Sequence, residues 1–145
     1  MKGMIQKYAE LAIRKGVNLQ KGQILIINAS VNAVELTRAC VEEAYKAGAK
    51  RVQVFYQDEY INRSNYFYQS DEELQRIYPW ELIVARLMKD GACILHIISE
   101  IPGIMNGVDA SKISKARMAK ALLSKELQEY TMLNKHNGVN HCSSK

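Results

Sequence analysis

The chain has 145 residues, 48% of them hydrophobic and 24% charged, with only 8 glycines and 2 prolines. That balance excludes collagen-like, low-complexity and disordered chains and describes one soluble domain, long enough to bury roughly two-thirds of its unfolded surface without a staple. The net charge of +5 lies wholly in residues 111–145, which hold 7 Lys and Arg against 2 Asp and Glu, while residues 1–110 balance at 13 against 13.

No apolar run is long enough for a membrane span, and no basic segment followed by an apolar core opens the chain, so a cytoplasmic protein without a membrane partner is expected. From Met1 to Lys15, Ile5, Tyr8, Leu11 and Ala12 fall at helical spacing, with Gly16 as the stop. Ile24 to Ile27 is a short continuous apolar run, the pattern of a strand buried on both faces in a parallel sheet. Ala33 to Ala47 returns to a 3.6 period and ends at Gly48, and Val52 to Tyr56 reads as a second strand.

Between Gln57 and Pro79 the periodicity breaks, and irregular structure with short helices is expected. Eight of the eleven aromatic residues lie between Phe55 and Trp80, a cluster that can form core, a partner surface or the wall of a substrate cleft and is best read as core plus domain interface. Ser70 and Glu73 have capping-box spacing, which predicts a helix start there, and Pro79 opens a further helix through Lys89. Ala92 to Ile98 is the third strand, and Asp109 caps a long helix from about Ala110 to Met132. Helices alternating with apolar strands predict an α/β three-layer sandwich, its small, mainly parallel sheet flanked by helices and lacking a final strand.

The first strand-to-helix turn, Asn28 to Ala33, contains no glycine, so neither a dinucleotide fingerprint nor a phosphate loop is present. Ser30 and Asn32 read there as helix caps. Three cysteines at wide spacing, without a C-x-x-C pair, make no zinc ribbon. Cys40 and Cys93 read as small core hydrophobes and His96 as a hydrogen-bonded core residue. His136, His141 and Cys142 fit no common metal-ligand spacing, so no metal ligand and no catalytic residue is assigned. Substrate-cleft candidates are the polar residues beyond the carboxyl ends of the strands: Asn28 and Ser30, Gln57, Asp58 and Glu59, Ser99 and Glu100. Asp58 and Glu59 are adjacent carboxylates that can move protons, although such pairs more commonly begin helices. Lys112, Lys115, Arg117, Lys120 and Lys125 form a basic helix face without interleaved aromatics, more consistent with a solvated surface than with nucleic-acid binding.

Ordered stretches carry a further signal: Tyr8 to Ala12, Gly16 to Gln23, Ile26 to Ala29, Glu35 to Arg38, Ala44 to Lys50, Tyr56 to Glu59, Pro79-Trp80 and Gly107 to Asp109. Together they resemble the N-terminal domain of the thermophilic aminopeptidase family of metallopeptidases, from about residue 4 to Lys135. The resemblance implies residues 1–135 as an N-terminal α/β domain and 136–145 as a divergent polar tail. It also implies that the full-length enzyme removes N-terminal amino acids from peptides with two divalent metal ions, zinc or cobalt, which polarise the scissile carbonyl and supply a hydroxide near neutral pH. In the family the metal ligands belong to a C-terminal domain, so this chain is expected to hold no cofactor and to be inactive alone. Self-association into a homo-oligomer is expected through the open sheet edge. A non-catalytic interaction domain is the alternative, and a nucleic-acid module a weaker one.

Overall fold

A computed structural model describes residues 2–133, with side chains from 3 to 122. Three strands, β1 (Ile24–Ser30), β2 (Arg51–Gln57) and β3 (Cys93–Ile97), form an open, all-parallel sheet in the order β2-β1-β3. The continuous apolar runs of β1 and β3 suit this arrangement, because helices cover both faces of a parallel sheet, whereas β2 at the sheet's edge has only half-buried and exposed residues. Along β1 the side chains alternate between two cores. Leu25, Ile27 and Ala29 face α1 (Lys2–Leu11) and α2 (Val34–Lys46), and pack with Ile13, Cys40 and Ala44. Ile26 faces the opposite way, onto Met88 of α5 (Pro79–Lys89), with Ala92 and Ile94. The β1–β2 and β2–β3 crossovers therefore lie on opposite faces, as a strand order of 2-1-3 requires.

The first helix is shorter than the spacing suggested. After Leu11 the chain widens into a π-turn over Ala12–Gly16, where the Val17 amide donates to the Ala12 carbonyl at 2.8 Å. The direction then changes at Asn18, whose φ of 55° is one that asparagine tolerates better than most residues. Glu43, buried on α2, accepts from Arg14 Nε at 3.4 Å and lies 3.9 Å from Lys46, tying this turn to α2. Gly48 ends α2 with φ of 99°, and a Cβ there would stand 2.9 Å from Lys21 Cγ.

Three local expectations fail. Strand β1 continues through Asn28, Ala29 and Ser30, which pair with both neighbouring strands or with β2 alone, so these residues belong to the sheet rather than to a turn. Neither Ser30 nor Asn32 caps α2; Ala33 stands at that position without a side-chain bond. His96 lies on the exposed end of β3 rather than in the core. The stretch after β2 is more regular than its broken periodicity suggests, forming α3 (Glu59–Tyr68) and the short α4 (Asp71–Gln75). The last helix, α6, runs from Ala110 to Leu133.

Candidate functional site

The β2-to-β3 crossover builds a cleft of about 610 Å³ between α3, α4, the start of α5 and the inner side of α6. Each wall is fixed by local capping. Asp58 begins α3, its carboxylate accepting from the Tyr60 amide at 2.9 Å. Ser70 begins α4 by accepting from the Glu73 amide at 3.2 Å, which satisfies a first-turn donor as its spacing predicted. Glu73 does not reach back to complete the box. It accepts from the Tyr78 hydroxyl and lies 3.5 Å from Arg76. Glu81 completes the box of the next helix, accepting from the Tyr78 amide at 2.8 Å. These bonds hold Tyr78 where its ring stacks on Trp80, with centroids 4.5 Å apart and planes 5° from parallel.

Helix α6 closes the cleft from a distant part of the chain. Lys112 Nζ donates to the Gln69 carbonyl at 2.8 Å, and Lys115 Nζ meets Asp71 Oδ2 at 2.6 Å. The hydrogen bond from Lys115 to Asp71, with the attraction between them, raises the lysine's pKa from its ordinary value. Hydrogen bonds from Ser111, chiefly its amide, lower that of Asp109, which caps the helix. Two cations of the basic face are thus spent on α4 and its approach rather than presented to solvent as a phosphate-binding row. Ala116 is buried against the cleft, and Lys120 stands on its wall.

The residues selected from the strand ends do not converge. Asn28 sits half-buried within β1, in register with Phe55 and His96. Ser30 is buried and accepts from the Ser99 amide at 2.8 Å, so its hydroxyl links β1 to the segment after β3. Glu100 is exposed, and Asp58 is occupied as a cap. Of the seven, Gln57 and Glu59 line the cleft. The sequence reading missed Asn62, Asn65, Gln69 and Trp80, which share it. Their only advance signal was the aromatic crowding, and the core half of that reading fails: Phe55, Tyr56, Tyr60, Phe67, Tyr68 and Trp80 are all exposed, while Tyr66, Tyr78 and Trp80 line the cleft.

Among the described residues no group of three His, Cys, Asp or Glu side chains is gathered as a metal site requires, so they do not fit the divalent pair implied by the resemblance. His136, His141 and Cys142 lie outside the described residues.

Comparison with known proteins follows the same division. The family model described as thermophilic metalloprotease (M29) matches residues 1–142. Aminopeptidase AmpS of Bacillus subtilis is 31% identical over 132 residues, covering 90% of this chain and 32% of its own length. Aminopeptidase T of Thermus thermophilus is 35% identical over 118 residues, covering 81% and 29% respectively. The structure of wild-type AmpT from Thermus thermophilus superposes with a TM-score of 0.76 at 34% identity, over 89% of this chain and 33% of that one. The chain therefore spans about a third of the length of the relatives it matches. A family match along nearly the whole chain, joined to a shared fold at this identity, makes the chain a member of the thermophilic metalloprotease family M29.

Proposed function

We propose that this chain is the N-terminal, non-catalytic part of a metal-dependent aminopeptidase, which releases N-terminal amino acids from peptides. One observation carries the reading: relatives named as aminopeptidases align with 81% to 90% of this chain but with only about 30% of themselves. In this reading the zinc or cobalt pair, and the catalytic side chains, belong to the region these relatives have beyond the match. In that assembly the α3–α6 cleft shapes one side of the substrate path. The interaction-domain reading draws on the same exposed aromatics. The nucleic-acid reading is the least supported, because Lys112 and Lys115 are engaged within the fold.

The same reading places the protein in the cytoplasm, and no described helix is long and apolar enough to cross a membrane. Among the described residues β2 and β3 each pair on one side only, which supports self-association through a sheet edge. The test is hydrolysis of leucine p-nitroanilide by the purified chain with added cobalt or zinc, with metal content and sedimentation measured on the same preparation. Expected are no metal-dependent turnover, less than stoichiometric metal and an assembly larger than a monomer. Metal-dependent turnover would overturn the assignment of catalysis elsewhere, and a monomer at high concentration would remove the oligomer.

A further inference from the structure

The geometry points to a peptide-binding function for the cleft itself: Glu59 receives a free N-terminal ammonium, Asn62, Asn65 and Gln69 meet the peptide groups behind it, and Trp80 supports a side chain. This rests on the aminopeptidase reading only for the choice of ligand class. The recognition chemistry comes from the cleft.

Its volume, about 610 Å³, falls within the range of about 300–1,000 Å³ typical of small-ligand sites. Its other acidic groups are already occupied. Glu73 holds Tyr78 and Arg76, and Glu81 holds the Tyr78 amide. Glu59 differs, because the residue lines the cleft, half-buried, without a hydrogen bond or ion pair to any described residue. A carboxylate partly withdrawn from water and lacking a cation is a natural receptor for an ammonium group. Primary amides are suited to the next contacts, since each offers both a donor and an acceptor, the same pair that a peptide bond presents; Asn62 Nδ2 donates to Gln57 Oε1 at 3.4 Å and keeps a second N–H and its carbonyl oxygen. Trp80 supplies an apolar face. One side of its ring is stacked on Tyr78, yet the residue remains 66% exposed, leaving indole surface for a ligand side chain or for the ammonium itself. Lys120, which also lines the cleft, adds a cation for a carboxylate at the far end of a short peptide.

The molecule contains its own reporter, because Trp80 is its single tryptophan. Titrating the full chain with leucyl-glycyl-glycine should change Trp80 fluorescence saturably. The N-acetylated tripeptide, lacking the ammonium, and the Glu59→Gln chain titrated with the free tripeptide should each bind at least about fivefold more weakly, the order expected for loss of one partly solvated charged hydrogen bond. Glu42→Gln, on the exposed side of α2, serves as the control and should bind as the parent does. Circular dichroism checks that each variant is folded. The inference is overturned if the free tripeptide leaves the fluorescence unchanged, if acetylation or Glu59→Gln makes no difference, or if a short single-stranded oligonucleotide saturates the signal where the peptide does not. The two readings fail separately: turnover of leucine p-nitroanilide defeats the non-catalytic assignment, whereas absent tripeptide binding with absent turnover defeats the cleft alone.

Discussion

The two sides of this fold are held together by different physics. Beneath α1 and α2, Ala9, Ile13, Leu25, Ile27, Ala29, Cys40, Ala44 and Cys93 are completely buried, and the face closes by excluding water. In the crossover between β2 and β3, neither α3 nor α4 contains a buried residue, and a cleft remains where a core would otherwise form. Caps, a buttressed aromatic pair and two lysine contacts position α3, α4 and the start of α5, while the end of α5 packs Met88 onto the smaller core of Ile26, Ala92 and Ile94. Most of the stability therefore resides in the first region, while ligand-accessible chemistry resides in the second, where local opening costs least.

The largest effect should come from a matched pair of truncations across this divide. Ile27→Ala removes a fully buried side chain from the centre of β1 and is expected to cost about 3–4 kcal/mol, transfer and cavity terms together. Ile83→Ala removes the same atoms from α5, where the residue is 50% exposed, and should change stability by less than about 0.5 kcal/mol. Urea unfolding of both variants measures the difference. Equal losses would break the comparison by showing that the outer face of α5 bears as much load as the sheet.

A smaller effect depends on pH and is confined to the closed side. Burial, aided by the nearby charge of Glu43, pushes the Cys40 thiol from 9.0 up to about 11. Below pH 9 the thiol is protonated in both folded and unfolded chains and favours neither. Between pH 9 and 11 the unfolded chain releases the proton while the folded chain retains it, so the folded state loses up to about 2 kcal/mol. Cys40→Ala should remove this part of the alkaline loss, seen as a shallower fall of the urea midpoint between pH 8 and 10.5. Parallel pH profiles for the parent and variant would mean that the site is wetter than its burial implies.

The same division governs what could be read in the sequence. Ile24 to Ile27 and Ala92 to Ile98 announced their strands because burial leaves a continuous apolar signature, whereas Val52 to Tyr56 was legible from its β-branched and aromatic residues although β2 has no buried position. Helix α2 and its glycine stop were equally plain. The strand's extension through Asn28 and Ser30 was hidden because polar residues at a strand end look like a turn, and only the Ser99 amide, 69 residues away, reveals why the Ser30 hydroxyl is there. Helix α3 lacked a legible stripe because it has no buried side to produce one. Glu59 was recognised as a candidate, but Asn62, Asn65 and Gln69 were not, since exposed amides carry no periodicity. Lysine contacts from α6 to Asp71 of α4 and to the Gln69 carbonyl before it span more than 40 residues and leave no local mark.

The smallest effect tests whether those contacts order the open side or merely decorate it. Lys115 and Asp71 are each more than 40% exposed, so water competes for both and their pairing adds little to global stability. The lysine's pKa is raised chiefly by its hydrogen bond to Asp71, so the contact is fully present below the ordinary lysine pKa and is lost as pH climbs through the raised value. Lys115→Ala should leave the urea midpoint unchanged within error. Hydrogen exchange should nevertheless quicken in the first turns of α6 and in α4, because the two helices meet through this pair and through Lys112. Unchanged exchange would show that apolar contact around Ala116 alone seats the helix, and a midpoint shift approaching that of Ile27→Ala would place the open side among the fold's principal supports.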